Sequence, residues 1–320
     1  MAVNRDKPDH WKDDIAKSVD LYNEWFMDFA PQAYRDTRVV TTKAVESAFE
    51  WTNNLSGLNA ESLREHPEIL PILRMSTCPP LARDRLIGLA DLSKSLVGSI
   101  EVKSKLPSKM PRALLDEQLG KIVQKIQRLT DPDIFVWLGK KDSPSEQAIH
   151  RAATIVADRL CGSQSDPIVR NAQEKRQLTM IGKWLDDRKY KHVPSGEGAT
   201  ISRLSPGSYS FRLNAPIKLG PDQRLVNIPI DVAIKARGAK EDDLPLMVEC
   251  KSAGDFTNTN KRRKEEATKI SQLKKTYGEN VRFILFLCGY FDSGYLGYEA
   301  AEGIDWVWEH RINDLAAFNV

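Results

Sequence analysis

Apolar positions recur at helical spacing through the first half of the chain and at strand spacing through much of the second. Trp11, Ile15, Val19, Leu21, Tyr22, Trp25, Phe26 and Phe29 follow one helical face, which predicts a first helix stopped by Pro31. Residues 42–51 predict another. Pro67, Pro71, Pro79 and Pro80 confine the following stretch to short helices, because proline lacks the amide donor and clashes with the preceding turn. Residues 114–129 and 145–160 predict two longer helices, the second opening on Ser-Pro-Ser-Glu. Asp166-Pro167 matches a cap followed by proline at the first helical position, so a further helix is expected there, with Glu174, Leu178, Ile181 and Leu185 on one face. The chain divides on this pattern into a helical N-terminal region, 1–165, and a second domain, 166–320.

The rhythm changes after residue 200. SYSFRLN (208–214) predicts a strand, and two further apolar runs, 225–234 and 244–251, flank the charged, Gly-containing connection KARGAKEDD. Strict alternation puts Val226, Ile228, Ile230, Val232 and Ile234 on one face of the first run and Asp231, an isolated charge, on the other. In the second run Val248 and Cys250 share a face, opposite Glu249 and Lys251. A helix follows, and then VRFILFLCG, whose unbroken run at 283–288 predicts a strand buried on both faces. YFDSGYLGY (290–298) reads as an aromatic, Gly-bearing loop, followed by a short terminal strand or helix.

Pairing the two runs brings Asp231, Glu249 and Lys251 together. Two carboxylates beside one ammonium in a partly buried notch are unfavourable without compensation. A divalent cation supplies it, and hard Mg²⁺, one ion or two, prefers oxygen donors: Asp231, Glu249 and the backbone carbonyl of Cys250 between them. Lys251 then sits where it can orient a water and offset charge growing on a phosphate. The plainer reading of the same residues is a surface hairpin closed by a salt bridge.

Composition narrows the classes. The hydrophobic fraction of 41% and charged fraction of 28% suit a water-soluble globular protein, and no apolar run is long enough to span a membrane. The polar opening MAVNRDKPDHWKDD leads us to expect no signal peptide. Cys78, Cys161, Cys250 and Cys288 are scattered without a metal-binding spacing, so reduced core thiols in a cytoplasmic protein are expected. No Walker loop, GxSxG elbow, HExxH helix or dinucleotide fingerprint occurs. The net charge of +3 says little, but residues 251–275 carry eight Lys/Arg against three Asp/Glu. Asn258, Asn260, Lys261, Arg262 and Arg263, at a helix start beside the candidate metal site, are therefore candidate contacts to phosphate groups, which would be those of DNA if the site acts on a nucleic acid. A charged run is also what an ordinary solvated helix face looks like.

Pro229-Ile230-Asp231 followed by Glu249-Cys250-Lys251 resembles the PD-(D/E)XK nuclease signature, with one residue inserted between the proline and the aspartate. The stretches HRAATIVADRL, IVRNAQEKRQL, ECKSAGDFTNTNKRRKEEA and LCGYFDSGYLGYEAAEGIDWVWEHRI resemble, beyond that motif, the XamI family of bacterial type II restriction endonucleases. The resemblance implies an α+β or α/β restriction-endonuclease-like core, a mixed central sheet flanked by helices, behind a largely helical N-terminal region serving dimerisation or DNA clamping. It implies Mg²⁺-dependent, site-specific double-strand cleavage of DNA in the bacterial cytoplasm, leaving 5′-phosphate and 3′-hydroxyl ends. A homodimer and a cognate DNA methyltransferase are the implied partners. It also implies an auxiliary carboxylate on the helix before the strands, for which Glu174 is the candidate; pairing of Glu174 with Arg170 or Lys175 is the alternative. Two other functions stay open: a structure-directed or nonspecific repair nuclease of the same superfamily, and a non-catalytic DNA-binding protein.

Overall fold

The computed structural model describes residues 2–196, 200–219, 224–257 and 259–320, with the side chains of residues 163–166 and 260–263 outside that description. It comprises two compact units: residues 30–168, and residues 1–29 with 169–320. Two long helices, α1 (Pro8–Trp51) and α7 (Glu146–Asp187), carry residues of both.

The helix expected to stop at Pro31 continues through it, and the one expected to start at Asp166-Pro167 is continuous with its predecessor. An internal proline forfeits one backbone hydrogen bond and costs on the order of 3 kcal/mol. Buried faces on either side offset that cost: Tyr22 before Pro31 and Val45, Ala48 and Phe49 after it. In α7, Ala153, Val156 and Ala157 precede Pro167, and Leu178, Ile181 and Leu185 follow it. Ser145 caps α7 as its position suggests, its hydroxyl accepting from the amide of Ala148 at 3.2 Å.

The unit formed by residues 30–168 is helical. Its elements are the second part of α1, α2 (Ala60–Glu65), a 3₁₀ turn (Pro67–Ile69), α3 (Leu70–Met75), α4 (Arg83–Ala90), α5 (Lys94–Lys103), α6 (Arg112–Leu129) and the first part of α7. One apolar cluster joins them, with Phe49, Leu63, Leu73, Leu96, Ile122 and Phe135 at its centre. Cys78, expected in the core, is exposed; Cys161 and Cys288 are buried and all four cysteines are free.

The other unit is built on a six-stranded mixed sheet in chain order: β1 (Lys191–His192), β2 (Ser208–Leu219), β3 (Arg224–Lys235), β4 (Leu246–Ala253), β5 (Arg282–Gly289) and β6 (Asp305–Trp308). β2, β3 and β4 run antiparallel to their neighbours in that trio, while β4, β5 and β6 are parallel. α7 packs on one face through Leu178, Ile181, Trp184 and Leu185 against Val232, Val248, Ile284 and Phe286. α8 (Thr259–Tyr277) and α9 (Ser293–Ala301) pack on the other, Ile270, Leu273, Tyr295 and Leu296 meeting Met247, Leu285, Leu287 and Trp306. A helical, mostly 3₁₀ segment (Glu309–Phe318) closes the chain. This is an α+β restriction-endonuclease-like architecture. Among the described residues no helix is long and apolar enough to cross a membrane.

The first part of α1 is fastened to the ends of β5 and β6. Asp305 accepts from the amides of Val3 and Asn4, Trp11 packs edge-on against Trp306, and Ser18 accepts from the amide of Gly289 at 2.8 Å. Gly289 has φ +101°, and a Cβ there would lie 2.1 Å from the carbonyl oxygen of Ala253, so glycine is required. The 290–298 stretch, expected as a loop, instead enters α9: Asp292 caps it by accepting from the amide of Tyr295. Trp306 and Trp308 are wholly buried.

Candidate active site

The site lies at a seam in the sheet. β2 and β3 pair along nearly their whole length, yet β3 pairs with β4 at only three positions, Val232–Val248, Ala233–Met247 and Ile234–Leu246. Strict alternation along β3 also fails. Val232 and Ile234 face α7, whereas Ile228 and Ile230 pack on the α8 side. Its partner strand changes phase at the same place: Phe211 packs toward α7, and Ala215 and Ile217 toward α8. Between them Arg212 takes a left-handed φ of +52°, and Arg212 and Asp231, which would face each other, are missing from the ladder. The predicted single apolar face of β3 is thus two half-faces joined at Asp231.

Beyond the seam β3 leaves β4, and the Asp231 side chain takes over a backbone bond. Its Oδ2 accepts from the amide of Cys250 at 2.8 Å. Asp231, Glu249, Cys250, Lys251 and Ser252 line a cleft of about 310 Å³, with Arg170, Gln173, Glu174 and Gln177 from α7 and Glu265 from α8. Cys250 packs toward α7 while Glu249 and Lys251 engage α8, as alternation along β4 requires.

The structure brings Asp231, Glu249 and Lys251 together and adds two residues that sequence reasoning missed. The Lys251 ammonium lies 3.1 Å from Glu249 Oε1 and 3.3 Å from Glu266 Oε1. The Lys269 ammonium donates to Glu249 Oε2 and to the Pro229 carbonyl at 2.6 Å. Glu266 and Lys269 stand one turn apart on α8, and Glu266 shares a stripe with Ile270 and Leu273. A carboxylate on an apolar stripe is the available signal, masked in the sequence by the basic residues 261–264 beside it. Behind them Glu299, on α9, is wholly buried.

Burial is the first cause of every shift here. It raises Asp231 to about 6, with the nearby Glu249 charge adding and the Cys250 amide opposing. It raises Glu266, against the pull of Lys251, and raises Glu299 to about 8 with Glu266 contributing. Burial alone would lower Lys251, but Glu249 and Glu266 outweigh it and the ammonium is held above its usual range. The cluster therefore holds more carboxylates than ammonium groups away from bulk water.

Glu174 lines the same cleft. It pairs neither with Arg170 nor with Lys175 but with Arg212, at 2.8 Å, so the left-handed residue at the kink also fixes this carboxylate. Gln177, buried beside it, reaches toward the carbonyl oxygens of Lys251 and Phe286 at 3.4 Å each. Asn258 lies outside the described residues, as do the side chains of Asn260, Lys261, Arg262 and Arg263, although residues 260–263 belong to α8.

A β-sheet opened at a carboxylate- and lysine-bearing seam, with helices on both faces, places the protein in the restriction-endonuclease-like class by fold. The family described as XamI restriction endonuclease matches residues 53–308, and the chain belongs to that family. It is 52% identical over 315 residues to the type II restriction enzyme SalI of Streptomyces albus G, covering 98% of this chain and 99% of that protein. It is 24% identical over 195 residues to the type II restriction enzyme XamI of Xanthomonas campestris pv. amaranthicola, covering 61% of this chain and 62% of that one. No solved structure matches significantly.

Proposed function

We propose that the protein is a type II restriction endonuclease, a site-specific deoxyribonuclease that cuts both strands of DNA at a short sequence. The observation that carries the catalytic part is the seam itself, where β3 leaves β4 and three charged side chains from two strands converge on one cleft. Near-complete coverage by a type II restriction enzyme supports sequence-directed cutting over structure-directed cutting.

The donor set fits a hard divalent cation. One oxygen of Asp231 is committed to the Cys250 amide, and the other has no hydrogen-bond partner among the described residues. Glu249 is satisfied by two ammonium groups, both on flexible stems able to yield. Asp231, Glu249 and the Cys250 carbonyl would hold one or two Mg²⁺ ions, all through oxygen. Bound there, Mg²⁺ supplies Lewis acidity toward a phosphate oxygen and toward a water.

The chain's own groups do the rest. Lys251, fixed between Glu249 and Glu266, keeps its proton, so it acts as a charge and a hydrogen-bond donor: it positions the attacking water and stabilises the phosphorane-like charge. Glu174, held by Arg212 across the cleft, is the auxiliary carboxylate. In-line attack leaves 5′-phosphate and 3′-hydroxyl ends. Asn260, Lys261, Arg262 and Arg263 contact backbone phosphates, and the N-terminal helical residues contribute dimer contacts or clamp DNA. The protein works as a homodimer in the bacterial cytoplasm beside a methyltransferase that protects host sites.

The test is digestion of unmethylated phage DNA with purified protein, in Mg²⁺ and in chelator. Discrete fragments in Mg²⁺ alone are expected. A featureless smear would move the function to nonspecific or structure-directed cleavage, and intact DNA across several sources would remove the nuclease reading.

A further inference from the structure

Beyond the kink, β2 and β3 continue as a two-stranded ribbon whose residues 224–230 have no partner in β4. Its inner face is anchored. Ala215, Ile217, Ile228 and Ile230 join the α8 side of the core, Tyr277 donates to the Pro216 carbonyl, and Thr276 accepts from the Lys218 amide. Among the described residues, its outer face is open apart from the pair of Arg212 with Glu174. Arg212, Asn214, Pro216 and Lys218 on one strand and Leu225, Asn227 and Pro229 on the other are all exposed.

We propose that this outer face enters a groove of the DNA duplex, with the side-chain amides of Asn214 and Asn227 reading base edges; the inference rests on the nuclease reading above. Four observations favour duplex DNA as the occupant. The outer-face positions Arg212 (which also pairs with Glu174), Asn214, Pro216, Lys218, Leu225, Asn227 and Pro229 include two basic residues and no acidic one, a charge balance suited to a polyanion. The face is continuous with the cleft, because Arg212 and Asp231 form the kink from which it extends. Asn214 pairs with Pro229 and Pro216 with Asn227, so the two amides are diagonal neighbours, about 7–8 Å apart along the ribbon. A major groove admits a two-stranded ribbon, and asparagine can make two hydrogen bonds to adenine there. The four residues from Asp231 to Asn227 span about 13 Å of extended chain. That is about four base-pair steps, so a phosphate at the cleft and bases beside Asn227 are within reach of one another. Lys218, at the rim of the same face, would contact backbone phosphate and leave sequence preference alone.

The experiment uses full-length wild type, Asn214→Ala, Asn227→Ala and Lys218→Ala. Each is given a duplex bearing the wild-type cleavage site, a panel in which every base pair of that site is changed singly, and an unrelated duplex for binding. All three side chains are exposed, so unchanged melting temperatures are expected and checked. Each asparagine variant should lose about 5- to 150-fold in cleavage of the cognate duplex. Each should also discriminate less at one position of the panel, with binding to the unrelated duplex preserved. Lys218→Ala should weaken binding to every duplex alike and flatten its salt dependence. Wild-type rates and an unchanged panel profile in both asparagine variants would overturn the proposal. So would a change in solution mass without a change in the panel, which would make the face a contact between protein chains. A wild type that cuts nothing would instead bring down the nuclease reading, and this inference with it.

Discussion

The parallel strands β4, β5 and β6 and the β2–β3 ribbon belong to one sheet but are built on opposite rules. In the parallel part, β4 pairs with β5 at all eight positions from Leu246 to Ala253, and β5 is buried from Phe283 to Gly289. In the ribbon β2 alternates buried with exposed residues, β3 is exposed on both faces from Arg224 to Asn227, and contact with β4 ends after three pairs. A fully paired, doubly covered strand is rigid but leaves no space for a substrate. The ribbon supplies that space by leaving, and the acid at the point of departure, Asp231, lines the cleft together with Glu249. The rigid half holds Glu249 and Lys251; the departing half provides the opening.

This contrast predicts a graded set of effects. The largest belong to the charged side chains at the seam. Asp231→Asn and Lys251→Ala should each reduce Mg²⁺-supported DNA cleavage by at least about 10²–10³-fold. Circular dichroism should show both variants folded, since the parallel strands keep all their pairs, with Lys251→Ala melting below wild type because Glu249 and Glu266 lose a buried ammonium partner. If either cuts DNA at wild-type rate, the seam is not where the chemistry happens.

Lys269→Met comes next. Its ammonium neutralises Glu249 in the same place where a cation would act. Removing one partner of a buried ion pair costs on the order of 3–5 kcal/mol. The variant should therefore melt well below wild type in chelator and recover much of the difference in saturating Mg²⁺, with tighter apparent metal binding. A melting deficit that Mg²⁺ leaves untouched would mean that lysine and metal do not share Glu249.

Glu299 gives the pH dependence. Its carboxyl is raised to about 8 by burial and by Glu266, from an ordinary value near 4.5. Between those values the folded protein holds a proton that the unfolded chain has released, so stability falls as pH rises from about 5 to about 8. Glu299→Gln, which stays neutral, should flatten that slope in thermal melts, gaining most relative to wild type near pH 8.5 and least near pH 5. A parallel offset at all pH values would show that Glu299 does not titrate in this range.

The smallest effect is expected at Arg212→Ala. The pair with Glu174 is largely exposed and worth roughly 0–1 kcal/mol. Melting should barely move, while cleavage should fall part of the way toward that of Glu174→Ala if the arginine orients that carboxylate. Identical activity in wild type and Arg212→Ala would leave Glu174 without its positioning partner.

Much of this arrangement is written locally in the chain. An isolated aspartate in an apolar run, and Glu-x-Lys interrupting another, pick out the three central side chains because charges in strands are costly and need a reason. The order of helices and strands is legible for the same reason: their apolar periods differ. The phase change at Arg212 and Asp231 is not, since a non-glycine residue with positive φ leaves no compositional mark and alternation then assigns half of β3 to the wrong face. Pro31 and Pro167 mislead in the other direction. A local rule ends the helix, while packing of the turns on both sides carries it through. Glu266 and Lys269 were hidden inside a charge-rich helix, where only the burial of one face separates them from their solvated neighbours.

The most direct test of the account is paired cleavage and metal binding at the seam. Wild type, Asp231→Asn and Lys251→Ala are titrated with Mg²⁺ by calorimetry and then incubated with unmethylated DNA. Wild type should bind the ion and yield discrete fragments, Asp231→Asn should lose both, and Lys251→Ala should keep binding but not cut. Discrete fragments from Asp231→Asn at the wild-type rate would contradict the account.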